Sequence, residues 1–198
     1  LLHLFKSERL LTLIFLNYIL WGLSSFTAVW IFQKYWQEGN VPLYYFGFLW
    51  AGYNLTVGFS GKLVHRLENI YGPIPLLITL ALLPIFGYFG MAFLAGWMGV
   101  IAGITFQISR GVSSVILRDG MKWRTPSDFR ATANSLTSLF FRLGFALLGP
   151  IVGYLIDTRG INFSLQALGF FFTGIFIFFM LPLIREVKKI NPKIIPSE

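Results

Sequence analysis

Six apolar runs, each close to or above the ~20 residues that span a bilayer core as a helix, leave this chain very few folds. They lie near 10–32, 43–61, 73–95, 97–117, 131–156 and 161–184. Hydrocarbon offers no water to unpaired backbone groups, so a spanning segment must be a helix or part of a closed barrel. The runs are continuously apolar and do not alternate at two residues, which decides for helices. The expected fold is therefore all-α, a polytopic membrane protein with six transmembrane helices. Composition agrees: 56% of the residues are hydrophobic and 12% charged, more apolar surface than a soluble domain of 198 residues needs. The second run is the shortest and the weakest of the six.

The net charge of +8 could point to nucleic acid, but the basic residues sit between the runs and build no face of their own, so no nucleic-acid partner is expected. Lys6, Arg9, Lys62, Arg66, Arg118, Lys122, Arg124, Arg130, Arg185, Lys188, Lys189 and Lys193 all fall on one side of a six-span topology. Only Lys34 and Arg159 fall on the other. The positive-inside rule then places both termini in the cytoplasm of a plasma-membrane protein. A basic tail touching anionic lipid is a secondary expectation. The opening "LLHLFKSERLL" lacks the apolar core and cleavage site of a signal peptide. It reads as the interior of a longer protein, with a processed or truncated chain as the other reading.

Catalytic chemistry finds little to work with. Cysteine is absent, and the two histidines, His3 and His65, are in connections. No His-Glu-x-x-His, Gly-x-Ser-x-Gly or phosphate-loop pattern occurs, so no enzyme, cofactor or metal is expected. Polar side chains instead mark particular helices. The first run carries Asn17, Ser24, Ser25 and Thr27, the fourth Gln107, Ser109, Arg110, Ser113 and Ser114, and the fifth Asn134, Ser135, Thr137, Ser138 and Arg142. The third has only Thr79, and the sixth, beyond its first residues, only Thr173. Two polar helices followed by a lipid-like one, twice over, suggests two related three-helix units with the third and sixth helices at the periphery.

Three stretches carry a resemblance. "QISRGVSSV" holds Arg110 and Gly111, "TPSDFRATANS" has the form Pro-x-x-x-Arg at a helix entry, and "GFALLGPIVG" contains Gly149, Pro150 and Gly153. With "GKLVHRLENIYG", where Gly61, Leu63 and Arg66 match a signature loop and His65 replaces its usual Asp, the chain resembles the C-terminal half of a major facilitator superfamily transporter. The resemblance covers essentially the whole chain. It implies helices seven to twelve of a secondary active carrier that moves a small solute by alternating access, with a missing N-terminal six-helix half as partner. The first and fourth helices would line the cavity, the second and fifth would line it and meet the other half, and the third and sixth would face lipid. The His65 departure puts a gating role for that loop, Arg66 included, in doubt. The alternative is a solitary half, or an inactive remnant, acting as an interaction or structural membrane protein.

The buried arginines are the sharpest site candidates. Arg142 lies eleven residues into its run, roughly 16 Å at the helical rise and close to the bilayer midplane. An unpaired Arg there costs on the order of 2.5–3.5 kcal/mol. No Asp or Glu lies deep in any run, so its partner is expected to be water, polar side chains, the other half or a substrate anion. Asn134, Ser138 and Arg142 follow one another at four-residue steps and give that helix a polar face. Arg110 is seven residues from the end of its run, roughly 10 Å and within snorkelling reach, and shares a face with Gln107 and Ser114. Asn17 with Trp21, and Tyr53 with Asn54, complete the candidate cavity set. The pairs Gly99/Gly103 and Gly149/Gly153 read as close helix packing, and Pro150 as a bend.

Overall fold

The computed structural model describes residues 8–94 and 96–189, and helices dominate them. In chain order they are α1 (Arg9–Glu38), α2 (Phe46–Tyr71), α3 (Pro73–Phe93), α4 (Trp97–Ala102), α5 (Ile104–Arg124), α6 (Arg130–Arg159), α7 (Ile161–Ile175) and α8 (Leu181–Lys189). A π-helical turn, Phe176–Met180, joins α7 to α8 without a break. Lys6, Lys193 and the far tail lie outside the described residues.

Five helical runs are long and apolar enough to cross a membrane, and α2 is not among them. It has the length, 26 residues, but Asn54, four of the chain's glycines and the polar segment from Lys62 onward dilute it. Several helices outlast their apolar runs: α1 reaches Glu38, α2 reaches Tyr71 and α5 reaches Arg124. Lys, Arg, Glu and Gln are good helix formers, so the backbone continues where hydropathy falls. The fourth run, by contrast, is interrupted at Gly103, between α4 and α5.

The turns repeat. Pro42 leads into a single 3-10 turn, Leu43–Tyr45, and then α2. Pro126 leads into another, Ser127–Phe129, and then α6. The α2–α3 corner is Gly72 (φ 76°, ψ 178°) and the α6–α7 corner is Gly160 (φ 82°, ψ 167°). Both glycines occupy a conformation that a Cβ would strain, which lets one residue reverse the chain between long helices.

The helices pack in two layers. α2, α5, α1 and α6 form a row in that order, and α3 with the α7–α8 run lies behind it. The third run is better packed than a peripheral helix would be, touching α1, α2, α5 and α7. Leu80, Ala81 and Tyr88 are wholly buried. Arg9 meets Glu186 at 3.6 Å, which puts the start of α1 and the end of α8 at one end of the bundle.

A proline and a π turn in the rear layer leave carbonyls that the front layer takes up. Pro84 has no N–H to offer Leu80 O, and the Ser109 hydroxyl of α5 donates to that carbonyl at 2.5 Å. Near Pro182 the helix widens into its π turn, and Asn17 Nδ2 of α1 donates to Phe179 O at 3.0 Å. Tyr88 of α3 donates to Ser24 O of α1 at 2.7 Å. Small residues set the tightest approach. A Cβ on Gly111 of α5 would stand 2.7 Å from Ser60 Cβ and Val57 O of α2.

The other glycine pairs depart from expectation. Gly99 and Gly103 make room for tyrosine hydroxyls, not for a helix backbone: a Cβ at either would overlap Tyr35 or Tyr53. Those hydroxyls donate to Leu94 O at 2.8 Å and Val100 O at 2.6 Å. Gly149 meets only Phe145 of its own helix, and Gly153 has nothing within 4 Å. Within the described residues that pair therefore packs against no neighbouring helix. Pro150 lies between them, inside a helix that continues to Arg159.

Candidate functional site

A cavity of about 450 Å³ opens between α1, α5 and α6, within the usual size range of small-molecule sites. Tyr18, Trp21, Gly22, Ser25 and Phe26 contribute from α1, and Arg110, Ser113, Ser114 and Arg118 from α5. Asn134, Thr137, Ser138 and Phe141 contribute from α6. Phe26 and Phe141 meet edge to face at 5.0 Å. The lining holds two guanidinium groups and no carboxylate. Neither Arg110 nor Arg118 has a hydrogen bond or ion pair among the described residues, where the ion pairs are Arg9–Glu186, Lys34–Glu38 and Lys189–Glu186. The hydroxyls of Ser25 and Ser113 are buried and make no hydrogen bond.

Of the sequence candidates, Arg110, Trp21, Asn134 and Ser138 come together here. The rest go elsewhere. Arg142 is exposed on α6 and does not line the cavity. The cause is helical pitch: each four-residue step turns the row by about 40°, so the third member sits about 80° from Asn134. Phe141, seven residues on from Asn134, has drifted only about 20° and takes the position Arg142 was expected to fill. Asn17 is fully buried and structural. Besides Phe179 O it donates to Leu13 O at 2.8 Å and accepts from Trp21 Nε1 at 3.1 Å. Tyr53 is spent on Val100 O, and Asn54 turns back to Trp50 O of its own helix at 2.8 Å. Gln107 is buried with its Nε2 unpartnered, outside the lining. Arg66 is exposed near the end of α2.

Arg118 is the residue that sequence reading missed. The fourth run ends at 117 by hydropathy, which assigns Arg118 to a connection. The helix continues to Arg124, so Arg118 is helical and lines the cavity beside Arg110 and Ser114, the two arginines about 80° apart around the α5 axis. The same extension leaves Arg110 about midway along the 28-residue run Trp97–Arg124, deeper than the apolar run alone implies. Arg130, at the α6 entry, has a different task. Its Nε donates to Lys122 O and Thr125 O, both at 3.2 Å, closing the end of α5. Near the end of α2, burial holds the Glu68 carboxyl above its ordinary range, with His65 opposing and Asp119 of α5 adding to the shift. Among the described residues no group of three His, Cys, Asp or Glu could hold a metal ion.

Comparison with known proteins gives no match to a family model, to a curated protein or to a solved structure. What is shown is an all-helical chain with several helices fit to cross a membrane, and an open cationic cavity between three of them.

Proposed function

We propose that this chain is a six-helix half of a secondary carrier of the major facilitator type, moving a small solute across a membrane by alternating access. The observation that carries the reading is the polar, cationic cavity on the open side of a bundle that is otherwise apolar. A cavity between helices near mid-span is where such carriers bind substrate.

Two features support a pair of related three-helix units. The turns come as matched sets, with proline, 3-10 turn, long helix and left-handed glycine in both. The packing also maps onto itself when the first three runs are exchanged with the last three. Under that exchange α2–α5 becomes α6–α1, and α3–α5 becomes the α7–α8 run against α1. The α1–α5 and α3–α7 pairs map onto themselves. The unfilled outer sides of α2 and α6 then belong to the contact with a second six-helix unit, with Arg142 on that side.

Uptake into proteoliposomes by the intact protein, screened over anionic, neutral and cationic solutes, tests the reading. Saturable uptake of any one class supports it. Absence of uptake across all three, with folded and correctly inserted protein, replaces the carrier with a non-transporting membrane module. Orientation has its own test, because the chain has no cysteine. A cysteine at Gly39 is expected to react with an impermeant maleimide on intact cells, and one at Arg124 only after permeabilisation.

A further inference from the structure

We infer that the cavity between α1, α5 and α6 binds an organic anion, its carboxylate or phosphate group held by Arg110 and Arg118 and its apolar body lying against Phe26 and Phe141. The inference names the ligand class of the cavity in the carrier reading, and rests on that reading only for the claim that the ligand is moved. Charge comes first. Two guanidiniums enter one cavity, no Asp or Glu lines it, and neither Arg has a protein partner among the described residues. Asp119, next to Arg118, exerts its field on Glu68 of α2, a helix that contributes nothing to the lining. Like charges without a counter-ion in a membrane protein call for one from outside the fold.

Geometry agrees. Arg110, Ser114 and Arg118 all line the cavity from α5, with about 12 Å of helix axis and about 80° of turn between the two arginines. Two long side chains that enter one cavity from those positions can converge on a single group between them. The forked donors of Arg suit a planar carboxylate or a phosphate, a match that Lys does not reproduce. Ser25 and Ser113 add hydroxyls that are 3% and 5% exposed and have no hydrogen-bond partner. A buried hydroxyl without a partner is a liability unless a ligand or water completes it. Tyr18, Trp21, Phe26 and Phe141 make the remaining wall aromatic, fit for a flat or apolar body.

The test uses intact protein in phosphatidylcholine nanodiscs, with phenyl phosphate and benzoate as probes and benzamide as the uncharged control. Thermal unfolding reads binding, with the part of the tryptophan fluorescence change that is lost in Trp21→Phe as a second signal from the cavity. Saturable stabilisation by the two anions and none by benzamide is expected. Arg110→Gln and Arg118→Gln are each expected to weaken it about tenfold or more, Arg110→Lys to weaken it less, and Arg142→Gln to leave it unchanged. If Arg110→Gln fails to fold, Ser113→Ala and Arg110→Lys carry the test. Adding phosphatidic acid to the nanodiscs distinguishes the source: competition with phenyl phosphate that depends on Arg110 places the same site on a lipid headgroup. Equal binding of benzamide, or wild-type affinity in both Arg→Gln variants, overturns the inference. Uptake of a neutral or cationic solute without anion binding would sink the anion site and keep the carrier. Anion binding with no uptake of any class would do the reverse.

Discussion

α3 and α6 are similarly apolar, each has an internal proline, and their fates in the bundle are opposite. Half of the most apolar stretch of α3 is buried against other helices, while for α6 the share is 6%. The prolines show the same contrast. The carbonyl that Pro84 leaves without a donor is taken by Ser109. The carbonyl four residues before Pro150, that of Ala146, receives no side-chain donor among the described residues. Hydropathy thus says which segments enter a bilayer and nothing about where they stand in it. Polar content alone does not say either: α1, with Asn17, Ser24, Ser25 and Thr27, is enclosed, and α6, with Asn134, Ser138 and Arg142, is left open.

The strongest way to break this contrast is to enlarge a glycine in each helix. Gly87 of α3 faces Thr105 Oγ1 and the Phe106 ring at distances no Cβ tolerates, whereas Gly153 of α6 faces open space. Gly87→Leu is expected to cost about 3 kcal/mol or more and to abolish folded protein in detergent. Gly153→Leu should stay within about 0.5 kcal/mol of wild type in the same unfolding assay. Collapse of the Gly153 variant would mean that α6 is packed after all. A middle-sized effect comes from the buried amide. Asn17→Leu leaves Phe179 O and Trp21 Nε1 unpaired, for a loss of about 2–4 kcal/mol, while Asn134→Leu on α6 should be near neutral. The smallest is Ser109→Ala, which strips the donor from Leu80 O and should lower stability by about 1–2 kcal/mol. Ser138→Ala should do nothing measurable to unfolding.

The helices were legible because lipid leaves so few options. The third run even begins where its helix does, at Pro73, a residue suited to a first helical position. The site was only half legible. Arg110, Trp21, Asn134 and Ser138 could be picked by face and spacing, since those depend on local periodicity. Arg118 could not, because an apolarity rule ends a helix where its charge begins. Asn17 was paired with Trp21, and its amide is taken up inside the fold, away from the cavity lining. Its decisive partner, Phe179 O, is remote in the chain and is a backbone atom, which no residue pattern announces. Arg142 does not join this cavity, because four-residue steps do not run straight along a helix.

The reach of that Asn17 contact has a consequence for how the protein is made. The two residues are separated by 162 positions, so at roughly 5–20 residues per second the first helix waits about 8–30 s for its partner to be synthesised. Throughout that interval the carboxamide of α1 sits in an inserted segment with its long-range bond unmade. The contact can close only when the segment carrying Phe179 arrives, which makes it a checkpoint on assembly of α1 with the α7–α8 run. A nascent chain stopped before Phe179 would hold every earlier helix of this bundle and still present that amide without its long-range partner to quality control.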